Sequence, residues 1–133
     1  MTQPTDLAGL KVMVIDDSNT IRRSAEIFLG QAGCRVILAE DGFDALAKIA
    51  DNDPGLIFCD ILMPRLDGYQ TCALIKKSPK FHEIPVIMLS SKDGLFDRAR
   101  GRMVGSDQYL TKPFTKDSLL RAVAQFALRP VAA

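Results

Sequence analysis

The chain has 133 residues, 47% apolar and 25% charged, with a formal net charge of +1. That length suits one domain around one core, since domains cluster near ~100–150 residues. The balanced charge gives no general electrostatic grip on nucleic acid or an anionic membrane, and no apolar run reaches the ~18 residues needed to span a bilayer. Residues 1–10, MTQPTDLAGL, lack the basic start and apolar stretch of a secretory leader. Cys34, Cys59 and Cys72 form no CxxC pair and are odd in number. A disulfide framework is disfavoured, and a reducing cytoplasm is the expected location. The single histidine, His82, excludes a multi-histidine metal site and argues against a Ser-His-Asp enzyme.

Residues 1–9 read as a short polar arm, 10–128 as a single domain and 129–133 as a short tail. Within the domain the first apolar run is 11–15, KVMVI. A helix follows, with Ile21, Ala25, Phe28 and Leu29 on one face, and Gly33 stands where a C′ glycine belongs. The second run is 35–39, RVILA, followed by helical spacing at Ala45, Leu46, Ile49 and Ala50 after Gly42. The third is 56–59, LIFC, before a helix carrying Tyr69, Cys72 and Ile75. The fourth is 86–89, VIML, before a weaker helix over 95–104 that ends at Gly105. The fifth and weakest is 108–110, QYL. Thr115 can cap the last helix, whose face carries Leu119, Val123, Phe126 and Ala127. Short Val/Ile/Leu runs without polar alternation read as parallel strands covered on both faces. Five of them alternating with five helices predict a doubly wound (βα)5 sandwich.

Ligand chemistry in such a fold belongs at the carboxyl ends of the strands. Asp16 and Asp17 follow the first strand, Asp60 the third, Ser90 and Ser91 the fourth, and Thr111, Lys112 and Pro113 the fifth. Any one of these alone is bland: an Asp after a strand is usually a helix cap, and a lone lysine is usually solvated. Together they fall on the one edge the fold selects. Three carboxylates on one rim raise one another's pKa and call for cations. Mg²⁺ prefers such oxygen ligands. Lys112 supplies a point charge that favours ionised Asp60 and can hold a phosphoryl oxygen, and Ser90 supplies a hydroxyl donor. The set fits phosphoryl transfer to an aspartate nucleophile.

These residues also carry a resemblance. VIDD (14–17), FCDILMPRLDG (58–68), PVIMLSS (85–91) and YLTKPF (109–114) resemble the receiver domains of two-component response regulators, over nearly the whole chain. The runs IDDSNTIRRSAE and MPRLDGYQTCALIKK are similar, more narrowly, to CheY-like receivers of the twitching-motility chemosensory system of type IV pili. The resemblance implies a flavodoxin-like, CheY-like fold and a cytoplasmic phosphoprotein that catalyses only its own phosphorylation and dephosphorylation. It implies Asp60 as phosphoacceptor, Asp17 as a direct Mg²⁺ ligand, Asp16 acting through water and the Leu62 backbone carbonyl as a third ligand. Mn²⁺ is expected to substitute. Ser90 becomes the switch hydroxyl, Tyr109 the switch aromatic turning from exposed to buried, and Lys112 the phosphoryl-binding lysine before a cis Pro113. Leu62 and Lys92 are implied to flank the phosphoryl group and tune its lifetime. The implied partners are a chemosensory-type histidine kinase and an effector of the pilus or motility machinery, with no nucleic acid and no membrane insertion.

Three rivals were weighed against the residues. A haloacid-dehalogenase-type phosphatase needs a second Asp two residues after the nucleophile, where this chain has Leu62. A nucleotide-binding domain needs GxxxxGK[ST] or GxGxxG after a strand, and neither occurs. A degenerate, adaptor-only receiver does not need the intact set of Asp16, Asp17, Asp60, Ser90 and Lys112. The three cysteines read as small core hydrophobes and His82 as a solvated loop residue. Arg98 and Arg102 share a helix face while Arg100 points away, which reads as a solvated basic helix. No sequence remains after the fifth helix for a helix-turn-helix.

Overall fold

The computed structural model describes residues 7–91 and 95–127. The arm over 1–6, the tail over 129–133, Lys92 and most of the expected switch loop, 91–94, lie outside the described residues. Five strands, β1 (Lys11–Ile15), β2 (Arg35–Ala39), β3 (Leu56–Asp60), β4 (Val86–Ser90) and β5 (Gln108–Thr111), form one parallel sheet in the order β2-β1-β3-β4-β5. The helices between and after them are α1 (Asn19–Gln31), α2 (Gly42–Asn52), α3 (Gly68–Lys77), α4 (Leu95–Met103) and α5 (Lys116–Ala127). The predicted (βα)5 doubly wound fold is the observed one. Three strands run one residue further than the apolar runs, because Asp60, Ser90 and Thr111 keep strand geometry while changing chemistry.

Strand side chains alternate between faces, so each central strand feeds two cores. Val12 and Val14, Leu56 and Phe58, and Ile87 and Leu89 pack with Ala25 and Leu29 of α1 and Leu119 and Val123 of α5. Met13 and Ile15, Ile57 and Cys59, and Val86 and Met88 pack with Ile49 of α2 and Cys72 and Ile75 of α3. Phe58 is fully buried at the sheet centre. Its truncation to Ala removes the largest ring from the core, at a cost of about 3–5 kcal/mol. Leu7, within the expected polar arm, is instead buried against the α1–α5 face, and Gly9 N donates to Gly33 O at 2.8 Å.

Caps fix where helices begin. Ser18 accepts from Ile21 N, Asp41 from Asp44 N, and Asp67 and Gln70 form a reciprocal capping box. Thr115 Oγ1 accepts from Ser118 N at 3.0 Å, so the predicted cap is present. Gly33 and Gly105 sit at φ +91° and +92°, where a side chain would be strained.

Candidate functional site

The strand order reverses between β1 and β3, and the register pairs Ile15 with Cys59 across them. The next residues, Asp16 and Asp60, therefore meet at the carboxyl edge, where doubly wound sheets open a crevice. Carboxylate oxygens of Asp16, Asp17 and Asp60 all lie within 4.8 Å of one another. Asp16 and Asp60 are buried, whereas Asp17 faces solvent. From the far edge of the sheet Lys112 Nζ reaches in, 2.9 Å from Asp60 Oδ1 and 3.2 Å from Asp16 Oδ2. The sequence-predicted acidic rim and its lysine are brought together.

The rim is held from several sides. Asp16 Oδ1 accepts from Ser18 N at 2.9 Å, and its carbonyl accepts from the Arg22 guanidinium, which also holds Asn19 Oδ1. Both oxygens of Asp16 are thus engaged within the protein, while Asp17 is turned outward. Lys112 N donates to Ser90 O at 2.7 Å, which ties the end of β5 to the end of β4. The Lys112–Pro113 peptide is cis, as the resemblance implied. Ser90 is buried beside Leu89, the register partner of Asp60.

The loop after Asp60 is equally constrained. Ile61 and Met63 are buried, which turns the intervening Leu62 outward at 68% exposure. A Cβ on Gly68 would lie 2.1 Å from the Asp60 carbonyl oxygen, so only glycine lets α3 begin this close to β3. Arg65, at φ +67°, pairs with Asp41 at 2.8 Å and covers the Phe43 ring at 5.1 Å. These contacts staple the loop to the start of α2.

Electrostatics follow from this packing. Burial raises the Asp60 carboxyl and the charges of Asp16 and Asp17 add to it; Lys112 opposes them, and the balance is a pKa of about 6. Lys112 favours the ionised form of Asp60, as expected, and Asp16 and Asp17 oppose it, as expected; burial, the largest influence, carries the balance upward. Burial pulls Lys112 down, yet the hydrogen bond to Asp60 and the charges of Asp16 and Asp60 overcome it, and its pKa lies above the ordinary lysine value. A buried acidic set with one oxygen-rich open side fits a hard divalent cation, which favours the ionised form of all three carboxylates.

The cysteines are core residues. All three are buried and free, and burial drives the Cys59 thiol well above its ordinary value and Cys72 to about 11. His82 is exposed. Tyr109, expected to be exposed, is half-buried against the α2–α3 core. The basic helix is not simply solvated: Arg98 stands 5.0 Å over the Tyr109 ring and Arg100 4.4 Å over the Tyr69 ring. Sequence spacing alone does not reveal these stacks, nor the Arg22 contact to Asp16, although Asn19 and Arg22 at i, i+3 signal a shared face.

A doubly wound fold of this topology, with three aspartates and a lysine gathered at its carboxyl edge, has the layout of a CheY-like signalling domain. The response regulator receiver domain model matches residues 12–124, and the chain belongs to that family. It is 71% identical over 123 residues to the protein PilG of Pseudomonas aeruginosa, covering 92% of this chain and 90% of that protein. It is 36% identical to the response regulator MprA of Mycobacterium sp. (strain KMS), of which it spans 47%. Among solved structures it is similar to the chemotaxis protein CheY4 of Vibrio cholerae, with a TM-score of 0.86 at 30% identity, covering 90% of this chain and 99% of that one. It is also similar to the BeF3-activated DrrB receiver domain, with a TM-score of 0.81 at 30% identity, covering 91% and 99%. Among the described residues, no helix is long and apolar enough to cross a membrane.

Proposed function

We propose that this chain is a CheY-like response regulator of a chemosensory system controlling type IV pili and twitching motility, phosphorylated on Asp60 by a separate histidine kinase in the cytoplasm. The observation that carries the phosphoacceptor reading is the Lys112–Asp60–Asp16 arrangement with Asp17 open beside it. Similarity to PilG over most of both chains supports the pathway.

In the reaction, an Asp60 carboxylate oxygen attacks the phosphorus of a phosphohistidine. A new O–P bond forms as the N–P bond breaks, and the imidazole leaves with the electron pair. Asp17, Asp60 and the Leu62 carbonyl, with Asp16 through water, would hold a Mg²⁺ ion, which would supply positive charge against the phosphoryl oxygens. Both Asp16 oxygens are already occupied by Ser18 and Lys112, which supports the indirect role. Lys112 holds a phosphoryl oxygen once Asp60 has given its charge to the new bond. Ser90 donates to another and draws the end of β4 inward. Tyr109 completes its burial, and the surface of α4, β5 and α5 changes for an effector protein. The domain plan is a single receiver over 10–128.

Incubation with Mg²⁺ and acetyl phosphate, followed by intact-mass measurement, tests the reading. One added phosphoryl group on the parent chain and none on Asp60→Asn is the expected result. An equal yield from the mutant overturns it.

A further inference from the structure

Among its described side chains, helix α4 carries little apolar grip. Of its positions 98–103, only Gly101 is buried, and Met103 is 85% exposed. The helix rests on the sheet through that glycine: a Cβ there would meet Ser106 Oγ at 3.0 Å and Met88 Cγ at 3.7 Å. A glycine contact has no side chain to interdigitate, so it brings the helix close without fixing its rotation. Two further contacts lie to either side of it. Residues two apart on a helix point about 200° apart. Arg98 accordingly reaches Tyr109 on β5, and Arg100 reaches Tyr69 on α3. The chain contains two tyrosines, and each lies under a guanidinium of this one helix.

The two rings differ in what they rest on. Tyr69 is 5% exposed and belongs to the core. Tyr109 is half-buried, with one side packed on the α2–α3 core and the Arg98 guanidinium over its ring. We propose that α4 is positioned by two opposed cation–π holds, Arg100 anchoring it to the immobile Tyr69 and Arg98 acting as a lid that keeps the Tyr109 ring in its half-buried seat. By covering the ring Arg98 disfavours its exposed position, the one farthest from the fully buried position of the activated state, and so biases the chain toward activation. The lid itself stands on geometry; its effect on activation rests on the reading given under Proposed function.

An exposed cation–π contact is worth ~0.5–1 kcal/mol, which is about a two- to fivefold change in a two-state ratio at 25 °C. Two measurements on the full chain read that change. The first is nitration of tyrosine by tetranitromethane without activator, mapped by peptide mass. Arg98→Ala is expected to nitrate Tyr109 about two- to fivefold faster than the parent, with Tyr69 unchanged. Arg98→Lys, which keeps the charge and a weaker stack, falls between. The second is apparent beryllofluoride affinity in Mg²⁺. By linkage, Arg98→Ala is expected to bind about two- to fivefold more weakly, and Arg100→Ala to weaken it by less. Unchanged Tyr109 nitration in Arg98→Ala overturns the lid. Faster nitration with unchanged beryllofluoride affinity overturns its coupling to activation. A parent chain that binds no beryllofluoride at all overturns the phosphoacceptor reading, while the nitration result still decides the lid.

Discussion

Lys112 Nζ lies 2.9 Å from Asp60 Oδ1, a contact between the last residue of β3 and the residue that follows β5, two strands that sit two places apart in the sheet. The same ammonium reaches Asp16, so one cation serves two buried carboxylates. Lys112→Ala leaves both uncompensated. It is expected to destabilise the metal-free chain by about 1–3 kcal/mol near neutral pH, below the ~3–5 kcal/mol of a fully buried pair because the rim is open. The folded-state pKa of Lys112 is raised, so its contribution is complete below the ordinary lysine value and lost only as pH climbs through the higher one. Urea unfolding of the single and double mutants with Asp60→Asn measures this. The cost of Lys112→Ala must shrink in the Asp60→Asn background; strict additivity would contradict the pair.

Asp60 has the opposite sign. Its folded-state pKa is about 6 against an ordinary 3.8, so between those values the folded chain keeps a proton that the unfolded chain has lost. This group alone makes stability fall as pH rises through that window. Asp60→Asn removes the penalty. The variant is expected to be more stable than the parent by about 1–2 kcal/mol near neutral pH in chelator, with solvent at the rim and the lost Lys112 hydrogen bond holding the gain below the full linkage value. The advantage vanishes as pH falls toward the ordinary carboxylate range. A difference independent of pH sinks the assignment.

A divalent cation relieves the same penalty. Mg²⁺ at about ten times its dissociation constant is expected to stabilise the parent by about 1.4 kcal/mol, a rise of several degrees in the unfolding midpoint. Asp17→Ala removes the exposed carboxylate of the set and is expected to abolish most of that shift. If Asp17→Ala responds to Mg²⁺ as the parent does, Asp17 is not a ligand.

The strands and the acidic rim were legible because both are dictated locally: apolar runs make buried strands, and their first polar residues mark the edge. Asp60 and Lys112 are far apart in sequence, but alternation of strands and helices implies a parallel sheet, and a parallel sheet puts the carboxyl ends of all its strands on one rim. Other features depend on distances no pattern encodes. Gly68 looks like any turn glycine until the Asp60 carbonyl is placed 2.1 Å from its would-be Cβ. Lys76 Nζ, which no local pattern singles out, holds Ile84 O and Asp107 Oδ2, each at 2.8 Å, and closes the opposite end of β4 and β5. Arg98 and Arg100 read as surface charge because an aromatic partner on another element is invisible to helical spacing. The net pKa of Asp60 was not legible for a related reason: the lysine and the neighbouring carboxylates are visible in sequence, whereas the depth of burial that tips their balance is not.

Ser90 gives the last prediction. Its side chain is buried at the end of β4, one residue past the register partner of Asp60, and its carbonyl receives Lys112 N at 2.7 Å. Any inward movement of Ser90 toward a phosphoryl oxygen therefore pulls on the backbone next to Lys112, and through β5 on Tyr109. Ser90→Ala deletes the hydroxyl donor but keeps this backbone link. It is expected to leave Asp60 phosphorylatable by acetyl phosphate while reducing the response at Tyr109, by the ~1–3 kcal/mol typical of coupling between sites. Tyrosine nitration with and without beryllofluoride reads the response directly. In the parent, activation slows Tyr109 nitration; in Ser90→Ala the two rates converge. Full phosphorylation together with an undiminished Tyr109 response would remove Ser90 from the switch and leave the Lys112 backbone link as the route from Asp60 to β5.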